Sequence, residues 1–336
     1  MKPLFAAADA RAAFTKRRHC LQALAAAAAT LALPRAATSA DEFETLELDW
    51  ADAQRERAVP VRLYLPRSAR ASERAPLVVF SHGIGGSRRG YSYLGQHFAR
   101  HGVASLHLQH VGSDRQVWTG NVFSIMGRLQ DAAQSTEAIH RVQDLRFALD
   151  TLLTSELAER LDETRIVAAG HSYGANTTLL AAGARVQREG RAVKLLDERL
   201  RAAIVISAPP FYGQAEPRKI LSGVTVPSLH ITATEDVINI PGYYSGAADR
   251  VALFEATASA RKWLAVFEGG SHSMFTDRAG TGGVTLNPLV KAATQALALA
   301  FVGAVLDGDF GGAGRGLAEW PQRHAGILAR FSAVAG

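Results

Sequence analysis

From residue 43 onward the apolar positions follow two different rhythms. Phe43-Glu44-Thr45-Leu46-Glu47-Leu48 and Val61-Arg62-Leu63-Tyr64-Leu65 alternate apolar and polar side chains. Successive strand residues point to opposite faces, so this period of two predicts half-exposed antiparallel strands. Later runs are continuous: Pro76-Leu77-Val78-Val79-Phe80, Ile166-Val167-Ala168-Ala169 and Ala203-Ile204-Val205-Ile206. Runs of that kind suit parallel strands covered on both faces. Two more strands are expected over 226–231 and 263–267, with helical patterns over 91–101, 139–153, 175–186 and 286–306. Strand–helix alternation of this sort predicts an α/β fold with a mostly parallel, doubly wound sheet and antiparallel N-terminal strands. Residues 292–306 are apolar, but the run is shorter than a spanning helix needs and begins just after Lys291. A buried helix is therefore expected there, and no stable membrane insertion.

The first forty residues break these rhythms. Lys2, Arg11, Lys16, Arg17 and Arg18 precede an uncharged stretch from 21 to 33, and Thr38-Ser39-Ala40 follows as a small-residue exit. A basic region, an apolar region and a small-residue exit make the layout of an export signal, so the mature protein is expected to be periplasmic or secreted. Arg17-Arg18, with Leu21 three positions on, resembles a twin-arginine signal; the general secretory route is the alternative. The expected organisation is a signal peptide over 1–40 and a single domain over 41–336. Removal of the signal changes the charge picture. The whole chain of 336 residues carries a net charge of +6, but the leader holds six basic side chains and one acidic one, leaving the remainder near +1. The lone cysteine, Cys20, leaves with it, so the mature chain has no disulfide and no thiolate metal site. Arg88, Arg89, Arg128 and Arg141 form no continuous basic run, and no nucleic-acid partner is expected.

Gly170-His171-Ser172-Tyr173-Gly174 carries the chemistry. This G-x-S-x-G directly follows an apolar strand and directly precedes a helical pattern, the setting of a nucleophile elbow. Glycine suits both flanks because a Cβ there would clash in so tight a turn. A serine hydroxyl needs a base, and the base a carboxylate; in this arrangement the chain order is Ser, acid, His. Of His272 and His324, His272 fits, because Glu268-Gly269-Gly270-Ser271-His272 is a small-residue loop after a strand. For the acid, the run 226–231 leads into Thr232-Ala233-Thr234-Glu235-Asp236. Asp236 is chosen, with Glu235 as the alternative, since neighbours at a strand end point to opposite sides. The strand before it ends in Ala208-Pro209-Pro210, which offers no carboxylate. Oxyanion donors are expected from the backbone N–H of Tyr173 and, in Ser81-His82-Gly83-Ile84-Gly85-Gly86, from that of Ile84. His171 is read as packing.

Other chemistries find less support. Gly83 and Gly85 would need a third glycine where Arg88 stands, so no dinucleotide loop is formed. His107 and His110 make an H-x-x-H pair whose members leave a strand end on opposite faces, and no third ligand has suitable spacing. No metal and no cofactor are expected. Aromatic residues from Tyr91, Tyr93, Trp118 and Phe123 to Phe211, Tyr212, Tyr243 and Tyr244 suggest an apolar pocket, with 111–128 and 209–223 as loops over it.

With these residues in place, the chain resembles the α/β-hydrolases. Within them it is similar to platelet-activating-factor acetylhydrolase-like esterases, dienelactone-hydrolase-like proteins and bacterial polyester hydrolases. The matching segments are 80–86, 94–102, 170–174 and 269–272. The resemblance implies an α/β-hydrolase fold with Ser172 as nucleophile, His272 as base, Asp236 as orienting acid, and Ile84 and Tyr173 as oxyanion donors. It implies a serine carboxylic-ester hydrolase working through an acyl-enzyme on short-to-medium acyl or aryl esters, small-molecule or polymeric. Three departures qualify it. Animal acetylhydrolases carry the acid one strand earlier, dienelactone hydrolases proper use cysteine as nucleophile, and polyester hydrolases keep disulfides. An acyltransferase or amidase using the same triad, or a catalytically silent binding module, are the competing readings.

Overall fold

The period-two alternation becomes a hairpin. β1 (Phe43–Asp52) runs antiparallel to β2 (Arg57–Pro66), from Phe43 opposite Pro66 to Asp52 opposite Arg57. The computed structural model describes residues 42–214, 216–240, 242–278, 283–310 and 314–335. The expected leader over 1–40 lies outside them. After the hairpin come β3 (Ala75–Ser81), α1 (Ser92–Arg100), β4 (Ala104–Leu108), α2 (Val122–Ala132), α3 (Ser135–Leu153), β5 (Leu161–His171) and α4 (Tyr173–Ala181). The second half holds β6 (Val186–Arg188), β7 (Arg191–Val193), β8 (Leu200–Ile206), α5 (Pro217–Leu221), β9 (Ser228–Glu235), β10 (Ile238–Ile240), β11 (Tyr243–Ser245) and α6 (Ala247–Ala256). It closes with β12 (Arg261–Ser271), α7 (Leu286–Asp307), α8 (Gly314–Arg323) and β13 (Leu328–Ala335).

Nine strands form the central sheet in the order β1-β2-β4-β3-β5-β8-β9-β12-β13. The six from β4 to β12 run parallel, while β1, β2 and β13 are antiparallel to their neighbours. The continuous apolar runs follow from this, because each parallel strand feeds two cores through alternate residues. Leu77, Val79, Ile166, Ala168, Ala203 and Val205 face one core, shared with α3 and α4. Val78, Phe80, Val167, Ala169, Ile204 and Ile206 face the other, shared with α1 and α7. By length and composition α7 is apolar enough to cross a membrane, with a mean hydropathy of 1.8. It places Val290, Leu297, Phe301 and Val302 in the second core.

Several element boundaries differ from expectation. The pattern over 175–186 stops as helix at Ala181, because Gly183 turns the chain at φ 117 and lies against residue 223. A Cβ on Gly183 would sit 2.3 Å from the Gly223 carbonyl oxygen. The segment 111–128, expected as loop, contains a 3-10 turn at Arg115–Trp118 and most of α2. β13 was not foreseen. It pairs with β12 on one side only and so keeps a weak apolar pattern.

Candidate active site

The elbow is built by backbone. β5 ends at His171, and Ser172 takes φ 55 and ψ −124 before α4 begins. A non-glycine residue there is strained and persists only when its surroundings fix it. The Ser172 N–H donates to the Ile206 carbonyl of β8 (2.8 Å), and the Ser172 carbonyl accepts from Ala175 N–H (2.8 Å). A Cβ on Gly174 would fall 1.9 Å from the Ser81 carbonyl oxygen, and one on Gly170 would fall 2.2 Å from the Gly174 carbonyl oxygen.

Two further strand ends deliver polar groups to this turn. His272 opens the 3-10 turn after β12, and Asp236 follows β9 directly. His272 Nε2 lies 2.8 Å from Ser172 Oγ, and His272 Nδ1 lies 2.7 Å from Asp236 Oδ1. Thr232 Oγ1 donates to the other oxygen of Asp236 (2.7 Å). Asp236 is fully buried, while the side chain of Glu235 faces solvent. Burial disfavours the Asp236 anion, but the His272 hydrogen bond and nearby charges outweigh it and hold this carboxyl below the usual carboxylate range. One of those charges was not anticipated. Arg250 of α6 is buried, donates to the Gly246 carbonyl (2.9 Å) and brings Nη2 to 3.5 Å from Asp236 Oδ1. His324, the other candidate base, stacks on Trp320 with ring centroids 4.6 Å apart and hydrogen-bonds its carbonyl (2.8 Å).

In the loop after β3, from Gly83 to Gly86, one backbone amide is left without an acceptor among the described residues. His82 Nδ1 donates to the Gly83 carbonyl (2.7 Å), which also accepts from Gly86 N–H (3.0 Å). The peptide unit is planar and trans, so the Ile84 N–H on that unit points away from those two donors. Gly83 N–H reaches Tyr91 Oη (3.4 Å) and Gly85 N–H the Ser113 carbonyl (2.9 Å). Ile84 N–H has no acceptor among the described residues. A Cβ on Gly83 would lie 3.1 Å from Ser172 Cβ, so the loop abuts the serine. Tyr173 opens α4, and its first-turn N–H has no helical partner.

Behind the loop lies a buried polar network. Arg141 of α3 is fully buried and donates to the His82 carbonyl, to Ser113 Oγ (2.7 Å) and to Thr177 Oγ1 (2.9 Å). Ser113 Oγ donates to Glu137 (2.8 Å), and Arg57 binds both Glu137 (3.0 Å) and Asp144 (2.9 Å). Asp144 accepts from His110 Nδ1 (3.1 Å), whose Nε2 meets Ser81 Oγ at 3.0 Å. Burial pushes His110 down to about 3, so it is neutral at ordinary pH. Asp144 is nevertheless held at about 2; burial opposes ionisation, but the His110 hydrogen bond and Arg57 prevail. His171, read as packing, has a connecting role as well. Its Nε2 donates to the His272 carbonyl (3.0 Å) and its Nδ1 accepts from Tyr91 Oη (2.8 Å), linking the loop after β3 to His272. The sequence did hold a signal for Arg141 and Asp144. Glu137, Arg141, Asp144 and Ala148 are spaced by four, three and four, one helical face that also carries the stripe Val142, Leu145 and Leu149.

A cavity of about 470 Å³ opens at Ser172 and His272. Ile84, Trp118, Ile139, Leu180, Phe211 and Tyr243 are among its lining, with Tyr91 and Tyr212. Other expected rim residues lie elsewhere: Tyr93 donates to the Phe275 carbonyl (3.1 Å), and Phe123 is 89% exposed outside the cavity. The H-x-x-H pair is divided as expected, with His107 hydrogen-bonded to the Gly90 carbonyl (3.1 Å) and stacked on Phe80. Among the described residues no group of three His, Cys, Asp or Glu side chains could hold a metal ion. Residues 78–335 match the model of the alpha/beta hydrolase family. A search of curated proteins finds no match.

Proposed function

The chain belongs to the alpha/beta hydrolase family, and we propose on that premise that it is a serine carboxylic-ester hydrolase working through an acyl-enzyme. One observation carries the reading: the unbroken line Asp236–His272–Ser172, at 2.7 and 2.8 Å, ends on a predominantly apolar cavity. Ser172 attacks the ester carbonyl as His272 takes its proton, and Asp236 orients and steadies the imidazolium. The Ile84 and Tyr173 amides receive the oxyanion, a contribution that costs on the order of 100-fold or more in rate when one donor is removed. His272 returns the proton to the departing alcohol and then activates water against the acyl-enzyme. The likeness of 80–86, 170–174 and 269–272 to acetylhydrolase-like esterases and polyester hydrolases favours esters over amides.

The test is labelling by a fluorophosphonate together with hydrolysis of p-nitrophenyl esters. The wild type is expected to do both and Ser172→Ala neither; an active Ser172→Ala protein overturns the reading. Product analysis with water and alcohol acceptors separates hydrolysis from transfer. Residues 1–40 are proposed as an export leader of the twin-arginine type. Mass spectrometry of the exported protein is expected to find its N-terminus at Asp41, and an intact Met1 in that fraction contradicts it.

A further inference from the structure

The cavity has a direction. Tyr173, Asn176 and Leu180 all line it, and their spacing of three and four places them on one face of α4. Its floor therefore runs along the helix from the nucleophile toward the C-terminal turn. Eight residues separate Ser172 from Leu180, about 12 Å at the rise of an α-helix. Of the polar groups on this floor, Asn176 Nδ2 donates to the Pro209 carbonyl (3.0 Å) and Tyr173 Oη to the Gln134 carbonyl (3.3 Å), while Asn176 Oδ1, near the middle, is buried without a hydrogen-bond partner among the described residues. The far end is apolar. Leu180 and Leu195 are both buried there, beside Val193 of the β6–β7 hairpin. That hairpin is clamped to the loop after β8 at Gln214. Gln187 N–H donates to Gln214 Oε1 (2.9 Å), and Gln214 Nε2 donates to the Gln187 carbonyl (3.1 Å).

We propose that this channel is an acyl-binding site for an unbranched, medium-length acyl chain, laid along α4 with its tip at Leu180 and Leu195. The inference rests on the ester-hydrolase reading above and names its substrate class. An extended chain advances about 3.6 Å per three bonds. About 12 Å thus takes roughly ten bonds, an acyl group of eight to ten carbons. Shorter chains leave apolar wall unfilled, and longer ones meet the Gln187–Gln214 clamp. The carbonyl sits at Ser172, and the alcohol leaves through the open side of the cavity.

The experiment is a p-nitrophenyl ester series from acetate to palmitate, run on the wild type, Leu180→Phe, Gln214→Ala and Ser172→Ala. In the wild type kcat/KM is expected to climb by up to about fourfold per methylene and to peak at octanoate or decanoate. Leu180→Phe, which fills the tip, is expected to move the peak to butyrate or hexanoate. Gln214→Ala, a change at a half-buried clamp, opens the end and is expected to move the peak beyond decanoate. A peak at acetate, or a peak that neither variant moves, overturns the channel while Ser172-dependent hydrolysis leaves the enzyme class standing. If no ester in the series is cleaved in a Ser172-dependent way, the enzyme class falls and the channel with it.

Discussion

Two Ser–His–Asp hydrogen-bond chains lie among the described residues, and only one of the two meets solvent. In the first, Ser172, His272 and Asp236 are joined at 2.8 and 2.7 Å, and the His272 side chain is 17% exposed at the cavity. In the second, Ser81, His110 and Asp144 are joined at 3.0 and 3.1 Å, and all three are sealed from water. The atoms are the same and their order is the same. The settings differ in three ways. Ser172 stands on a strained turn, whereas Ser81 ends a regular strand. A ligand can reach Ser172 through the cavity, and none can reach Ser81. Burial also keeps His110 neutral down to about 3, so it cannot receive a proton from a neighbouring hydroxyl. The sealed trio holds up the loop that presents Ile84, through His110 N–H on His82 Nε2 (3.1 Å). Hydrogen-bond distances alone thus do not tell the two trios apart; access, backbone strain and burial do.

Acid breaks this contrast most heavily. His82, His107, His110, His171 and His230 are buried and kept neutral, His107 at about 4 and His110, His171 and His230 at about 3, in each case first by desolvation. An unfolded histidine titrates near 6.5. The unfolded chain therefore binds more protons below that value. Stability is whole above pH about 6.5 and falls as the pH drops toward about 4, by roughly 1.4 kcal/mol per unit per histidine. Together five such groups cost about 10 kcal/mol at pH 5, inside the typical stability range of about 5–15 kcal/mol, and exceed that range only near pH 4. Far-UV circular dichroism is expected to report cooperative unfolding there; a fold that survives pH 4 would mean that the sealed histidines take up protons in place. Serine removal comes next. Ser172→Ala is expected to lower kcat by about 100,000-fold or more. Ser81→Ala is expected to stay within about tenfold while lowering Tm, through one lost buried hydrogen bond. Equal losses of turnover would erase the distinction between the two trios.

The acid position is a sharper test. Asp236→Asn is expected to lower kcat by about 10,000-fold, as the wrong histidine tautomer is favoured. Glu235→Gln faces solvent and is expected to change kcat less than twofold; the reverse result would move the acid to Glu235. The smallest effect lies behind Asp236. Arg250 offsets part of that carboxylate's attraction for an imidazolium, with His230 sharing the small cavity beside it. Arg250→Met is expected to raise the acid limb of the kcat/KM profile by about one pH unit, and Arg250→Lys to restore it. A limb that stays in place while kcat drops would make Arg250 a packing residue.

How legible each part was depended on how local its cause is. The elbow needs only neighbours: two glycines, a serine, a strand before and a helix after. The parallel strands were equally legible, because covering both faces leaves no polar parity in Leu77–Phe80 or Ile166–Ala169. Gly83 and Gly85 point to the Ile84 amide in the sequence, but what turns it is the His82 ring. In the sequence, Arg141 is read only as one of four arginines that form no continuous basic run. The helical spacing within 137–148 marks its face, but its partners Ser113 and His82 lie 28 and 59 positions away, so what it binds could not be read from its own segment. Arg250 likewise gains its meaning from Asp236, on another element. β13 failed for the opposite reason, since an edge strand leaves one side unpaired and keeps too mixed a pattern to stand out. The leader lies outside the described residues.

The Ser172–His272 hydrogen bond joins positions 100 apart in the chain. A ribosome adds roughly 5–20 residues per second, so the serine precedes its partner by about 5–20 s. β13, the antiparallel cover of β12, is later still, ending at Ala335. On the proposed mechanism the elbow serine is an ordinary alcohol during that interval, because its imidazole partner has not been made, and a polypeptide stalled or truncated before residue 272 is expected to be inert toward esters.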